Sequence, residues 1–199
     1  MSSASPGPEL RSARLLLRRW TAADAAPFAD LNADPEVMRY FERPLHRPES
    51  DALIARIERE FERCGFGLWA LEAHETSEFL GFTGLIEQTF DAHFTPAVEI
   101  GWRLRRSAWG LGYATEAARV AMAYGFGPAG LDEVVSITTR TNTASRAVMA
   151  RLGMTCSPAD DFEHPKLPTG HPLRPHVLHR LTRQQWLAQR DGVDPAFAH

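Results

Sequence analysis

Between Val98 and Ala117 the chain reads VEIGWRLRRSAWGLGYATEA. A strand-like run enters a turn carrying two glycines, and a helix-like run leaves it. This order strongly constrains the fold, because the first amides of a helix have no internal partners. Together with the positive end of the helix dipole they form an anion site. Gly110 and Gly112 allow backbone to approach a phosphate closely, and Arg105 and Arg106 add positive charge beside them. The stretch therefore asks for a strand that delivers a phosphate-bearing ligand to a helix terminus. It is not GxGxxG, since Thr115 stands at the third glycine position, and no GKS or GKT follows. Two glycines alone also fit a plain tight turn into a helix.

The flanking sequence predicts what this unit is set into. Strands are expected over Arg14–Trp20, Gly67–Ala73, Phe79–Gln88, Ala97–Leu104, Glu133–Thr139, Met154–Cys156 and Val177–Leu181. Helices are expected from Thr21, with Asp24 closing a capping box, then from Asp34-Pro35 through Tyr40. Further helices are expected over Ser50–Arg63, Tyr113–Phe126 and from Asn142 to Gly153. In Ser50–Arg63 the apolar residues Leu53, Ile54, Ile57 and Phe61 share one helix face, and Gly65 is placed to end it. Hairpins beside a βαβ unit give an α/β fold with a mixed, mostly antiparallel central sheet flanked by helices. Length fits one domain: 199 residues, with residues 10–190 as the folded unit and Ser-, Pro- and Gly-rich tails at 1–9 and 191–199 expected to be disordered.

Charge sorts the possible partners. The net charge of −3 argues against a binder of many nucleic-acid phosphates. It conceals an uneven spread: residues 20–99 carry 6 basic and 16 acidic groups, whereas residues 101–151 carry 7 and 3. Lys166 is the only lysine among 22 basic residues. Cys64 and Cys156 form no CxxC pair, the start MSSASPGPEL lacks a secretory pattern, and no run of ~18 apolar residues occurs. A cytoplasmic protein without membrane or nucleic-acid partners is the resulting expectation.

The ordered series LLLRRW, PEVMRYF, GLWALE, FLGFTGL, VEIGWRL, WGLGYATEA and TNTASRAVMARLGM resembles the GNAT superfamily of N-acetyltransferases. Within it the series resembles the RimJ/RimL type, which includes ribosomal-protein N-terminal acetyltransferases. The resemblance spans about residues 12–182. It implies a sheet splayed into a V, with acetyl-CoA in the cleft as cosubstrate and no metal. The superfamily's phosphate motif, Gln/Arg-x-x-Gly-x-Gly/Ala, is met at Gly112 and Ala114. Trp109 stands at its first position, so phosphate binding should rest on backbone amides.

By the same resemblance, the strand through Ile100, Trp102, Arg103 and Leu104 should meet the pantetheine arm, with the backbone of Trp102 and Leu104 pairing to it. Trp109, Gly110, Leu111, Gly112, Tyr113, Ala114 and Thr115 should hold the pyrophosphate. Asn142 and Ser145 should touch the cofactor beyond them.

Amide formation from a thioester requires a neutral amine, so a base is needed, whereas a thiol of pKa roughly 8.5 is already a fair leaving group. Glu99, a charged residue in the apolar run AVEIG, is the candidate base; the alternative is a solvent-side residue of an alternating strand. Ser145 is the candidate acid for the thiolate; the alternative is a helix-start serine bonded to nearby backbone. Glu42 and His164 are candidates to border the acceptor, a primary amine on a small cationic molecule or a protein N-terminus. His164 is also a second possible base. The acidic stretch is expected to form a rim that attracts cations. His164, His171, His176 and His179 are spaced by seven, five and three residues, which matches no common zinc pattern. A homodimer is expected by analogy. Two other readings stay open: a degenerate fold that senses CoA or binds proteins, and, more weakly, a dinucleotide oxidoreductase.

Overall fold

The computed structural model describes residues 8–191; the expected tails lie outside them apart from Pro8, Glu9 and Asp191. Pro8 departs from the disorder expected of it, because its carbonyl accepts the Trp69 indole N–H at 2.8 Å. In chain order the strands are β1 (Leu10–Arg11), β2 (Leu15–Arg18), β3 (Leu68–Ala73), β4 (Phe79–Gln88), β5 (Ala97–Leu104), β6 (Glu133–Thr139), β7 (Thr155–Cys156), β8 (Phe162–Glu163) and β9 (Pro175–Thr182). The helices are α1 (Ala25–Ala33), α2 (Pro35–Met38), α3 (Arg47–Cys64), α4 (Tyr113–Phe126), α5 (Thr143–Arg151) and α6 (Arg183–Asp191). The strands form one sheet in the order β1-β2-β3-β4-β5-β6-β9-β7, with β8 also paired to β9. Among the described residues, only the β5–β6 pairing is parallel; the others are antiparallel.

Local chemistry explains where elements begin and end. Asp24 accepts from the Thr21 amide at 2.8 Å and from its hydroxyl at 2.9 Å. The capping pair therefore exists, but it closes a short 3-10 turn ahead of α1 rather than starting the helix. Burial alone would raise the Asp24 carboxyl. Arg18, bound through both carboxylate oxygens at 2.7 and 2.8 Å, and Thr21 instead hold it below the ordinary range.

Helix α3 starts three residues before Ser50, because Glu49 accepts from the His46 amide at 2.8 Å and Pro48 suits a first turn. It ends at Gly65, whose φ of 74° is the left-handed region. Helix α6 was not expected. Its sequence, RQQWLAQRD, carries few apolar residues, but Trp186 buries against Phe126 with ring centres 5.7 Å apart.

The two sheet faces are covered differently. On one, Phe28 of α1 meets Trp20 at 4.6 Å and Phe82 of β4 at 6.0 Å, and Ile57 and Phe61 of α3 are buried. On the other, α4 packs so closely that a Cβ on Gly125 would meet Leu85 of β4 at 2.9 Å. Fully burying a side chain such as Phe28, Ile57 or Leu85 contributes roughly 1.5–3 kcal/mol.

Candidate active site

The sheet opens where β5 meets β6. Of the residues in these two strands, only Glu99 and Val135 are in register. Beyond that point the Ser136 hydroxyl, not a backbone amide, donates to the Ile100 carbonyl at 2.9 Å. Strand alternation then leaves the backbone of Trp102 facing the gap, along with that of Leu104. The Leu104 carbonyl, expected to pair with a ligand, already accepts the Trp109 indole N–H at 2.8 Å. The gap widens into a cleft of about 1310 Å³ that reaches both faces of the sheet.

The glycine turn forms one wall. Gly110 and Gly112 have φ of 74° and 82°, where a side chain is strained, and Gly112 caps α4. Thr115 is buried, while Trp109 and Leu111 are exposed. Ala114 and Tyr113 line the cleft. Arg14, far away in sequence, reaches this terminus: its guanidinium lies 4.5 Å from the Tyr113 ring centre and pairs with Glu116 at 2.6 Å. Burial would raise the Glu116 carboxyl, but the Ser12 hydroxyl and Arg14 hold it below its ordinary range, so the acid in the first turn is neutralised. Arg119 and Arg151 line the same end. Arg105 turns away to Glu78, and Arg106 is exposed. A backbone approach free of Cβ atoms, open helix amides and flanking arginines together fit a pyrophosphate.

Glu99 stands at the vertex of the gap. It lines the cleft and accepts from the Gln88 carboxamide at 2.5 Å, and the Ile137 amide faces it. Burial pushes its carboxyl up to about 7, with Gln88, Ile137 and Lys166 opposing the rise. The solvent-side alternative for Glu99 does not describe this position.

Asn142 caps α5. Its oxygen accepts from the Ser145 amide at 3.2 Å, and its nitrogen donates to the Thr138 hydroxyl at 3.0 Å and to the Ser145 hydroxyl at 3.1 Å. The Asn142 carboxamide is thus engaged within the protein, and it orients Ser145 toward the cleft that both line.

Arg103 departs from the place expected for it. Its side chain shares a face with Glu99 and Gly101, opposite Ile100, Trp102 and Leu104. It bonds Asn32 of α1, away from the glycine turn, and its backbone pairs with Phe82 of β4. It therefore lines the half of the cleft on the α1 and α3 face rather than the cofactor half. Glu42 is exposed at that rim. His164 lies 4.8 Å from His176 and 4.9 Å from Phe90, ring centre to ring centre. Burial first, then His176 and Lys166, push its imidazole down to about 4, so it is neutral at pH 7.

Many acids of the stretch expected to form a rim are ion-paired. Glu58 and Glu62 hold Arg19, Glu49 holds Arg43, and Glu60 and Glu87 hold Arg63. Glu58 with Glu62 and Glu60 with Glu87 each share a single arginine, so residues 20–99 stay net negative despite these pairs. Among the described residues, no group of three or more His, Cys, Asp or Glu gathers as a metal site, and no helix is long and apolar enough to cross a membrane.

Sequence reading missed Gln88, Ser136 and Arg14. They lie far in sequence from the residues they serve, and only the strand register and the β2–α4 approach bring them together.

Known proteins are similar throughout this architecture. A family model described as an acetyltransferase (GNAT) domain matches residues 14–155. The FsC-acetyl coenzyme A-N(2)-transacetylase of Aspergillus fumigatus is 32% identical over 208 residues, covering 96% of this chain and 86% of that protein. Among solved structures, an acetyltransferase from Agrobacterium tumefaciens superposes with a TM-score of 0.70 at 28% identity, over 87% of this chain and 94% of its own. The fold is shared too by a Vibrio cholerae spermidine N-acetyltransferase in complex with CoA and spermine. Its TM-score is 0.69 at 17% identity, over 88% of this chain and 99% of that one.

Proposed function

The chain belongs to the acetyltransferase (GNAT) family, whose members act with acetyl-CoA, and from that premise we propose that it acetylates a primary amine by direct attack within one ternary complex. The observation that carries this reading is the position of Glu99 at the vertex of the β5–β6 gap, with its carboxyl raised to about 7. A base of that strength is half ionised near neutral pH and can take a proton from an attacking ammonium.

The roles follow from what each group touches. Gly110 to Thr115 hold the pyrophosphate on the open amides of α4, with Arg14 and Arg119 beside it. The β5 backbone facing the gap at Trp102 orients the pantetheine arm. Glu99 removes the amine proton, held in place by Gln88. The Ser145 hydroxyl accepts from Asn142, which leaves its own hydrogen free for the departing thiolate. The acceptor enters from the α1 and α3 face, past Glu42 and Arg103. His164, neutral in its aromatic setting, serves as a wall there and is too weak a base to compete with Glu99.

Release of CoA, measured with acetyl-CoA and a panel of amines, tests the reading. Turnover that requires both substrates supports it. Absence of acetyl-CoA binding by calorimetry, or of turnover with any amine, removes it.

A further inference from the structure

Among the described residues, Arg103 forms no ion pair, although it lines the acceptor half of the cleft. One guanidinium nitrogen donates to Asn32 at 2.5 Å, and Nε is buried without a partner. The group lies 4.0 Å from the Phe41 ring centre and 5.3 Å from that of Phe82. Burial lowers its pKa, but only to about 10, so it stays charged at pH 7. A guanidinium has five donor hydrogens, and removing it from water is ordinarily compensated by an anion. Here Asn32 offers a neutral oxygen. The Asn32 amide nitrogen donates to Ser50 at 3.1 Å, with both residues fully buried, so that oxygen is fixed toward Arg103.

Arg103 is also aligned with the reacting end. Glu99, Gly101 and Arg103 share one face of β5, and nothing lies within 4 Å of where a Cβ on Gly101 would stand. A bound molecule can run along this open strip from Glu99 to Arg103. Of the other cations lining this side of the cleft, Arg39 pairs with Glu36 at 3.6 Å, Arg56 is exposed on α3, and Lys166 acts on Glu99 and so lies at the reacting end.

We propose that Arg103 receives a carboxylate of the acceptor, so that the substrate is an amine carrying its acid group several bonds away. This rests on the reading that Glu99 marks the amine end of an acetyl-transfer site. A carboxylate matches the guanidinium fork, and Phe41, exposed on its outer side, covers the pair. A polyamine would instead bring a second ammonium to an unneutralised guanidinium, since of the carboxylates lining this half Glu36 pairs with Arg39 and Glu42 is exposed at the rim.

The experiment uses the full chain with acetyl-CoA and amines in matched pairs, each ω-amino acid against its own carboxamide, with spermidine added. We expect kcat/KM to favour the acid over the amide by at least about tenfold. In Arg103→Gln that ratio falls toward one, mainly through KM, and Arg103→Lys retains part of it. A merely structural role for Arg103 would lower the melting temperature and depress both members of each pair alike, leaving the ratio intact. An unchanged ratio in Arg103→Gln, or carboxamides and spermidine matching the acids in the wild type, overturns this proposal alone. Failure to bind acetyl-CoA or to release CoA with any amine removes the underlying reading as well.

Discussion

Glu99 of β5 and Val135 of β6 form the one registered pair between those strands among the described residues, and the sheet parts immediately beyond it. The base candidate is thus fixed by the last rung of a ladder, close to the open space where chemistry can occur. With its carboxyl raised to about 7, kcat/KM should climb with pH through that value as the carboxylate forms. Glu99→Gln should lose this limb and on the order of 10² to 10⁴ in rate. Comparing the pH profiles of variant and wild type on the same amine isolates the limb from the amine's own titration.

The same carboxyl should leave a mark on stability. Its folded pKa of about 7 exceeds the ordinary 4.5, so the native state binds the proton more tightly than the unfolded chain. Its contribution is full below 4.5 and is lost as pH rises through 7. Urea denaturation should therefore show Glu99→Gln gaining stability relative to wild type as pH is raised across that window. A constant difference would mean that Glu99 does not titrate there.

Ser145→Ala should lower kcat by less than about tenfold, because a thiolate of pKa roughly 8.5 leaves readily without help. Asn142→Ala should act on the fold as well, since it removes the α5 cap and costs ~1 kcal/mol. Thermal melts beside single-turnover rates separate the two effects.

Gly112 and Gly65 have nearly equal φ, 82° and 74°, in different places. Alanine at either should cost roughly 1–2 kcal/mol of left-handed strain. Only Gly112→Ala should also raise the KM for acetyl-CoA, by about tenfold or more, because only Gly112 borders the anion site. Equal KM values for the two variants would place the pyrophosphate elsewhere.

The parts of the fold that could be read from sequence were those where side-chain pattern and punctuation agree. Phe79–Gln88, Ala97–Leu104, Tyr113–Phe126 and Glu133–Thr139 are bounded as expected, because glycines or charged turns end each apolar run. The two-residue strands β1 and β8 carry too few residues for any period to show, and α6 is held by one tryptophan rather than by an apolar stripe. In the site, Glu99, Gly110, Gly112, Asn142 and Ser145 were legible in the sequence and line the cleft, whereas Ile100, fully buried, and Leu111, exposed, do not. The resemblance could not separate Arg103 from its neighbours, because alternation along a strand says which residues share a face and not which helix covers it. Nor could charge counts show which acids are held by arginines at 39 and 43 residues' remove, as Glu58 and Glu62 are by Arg19.

Glu99, Gly101 and Arg103 belong to a single strand, which has a consequence for divergence. The four residue steps from Glu99 to Arg103 span about 13 Å between their Cα atoms, and the hydrogen bonds to β4 hold that span rigid. Loops such as Phe41 to Pro48 can change freely and alter what is admitted, yet they cannot stretch this interval. Relatives that keep both side chains inherit the same molecular ruler, and selection for longer or shorter acceptors would have to move a charge to another rung.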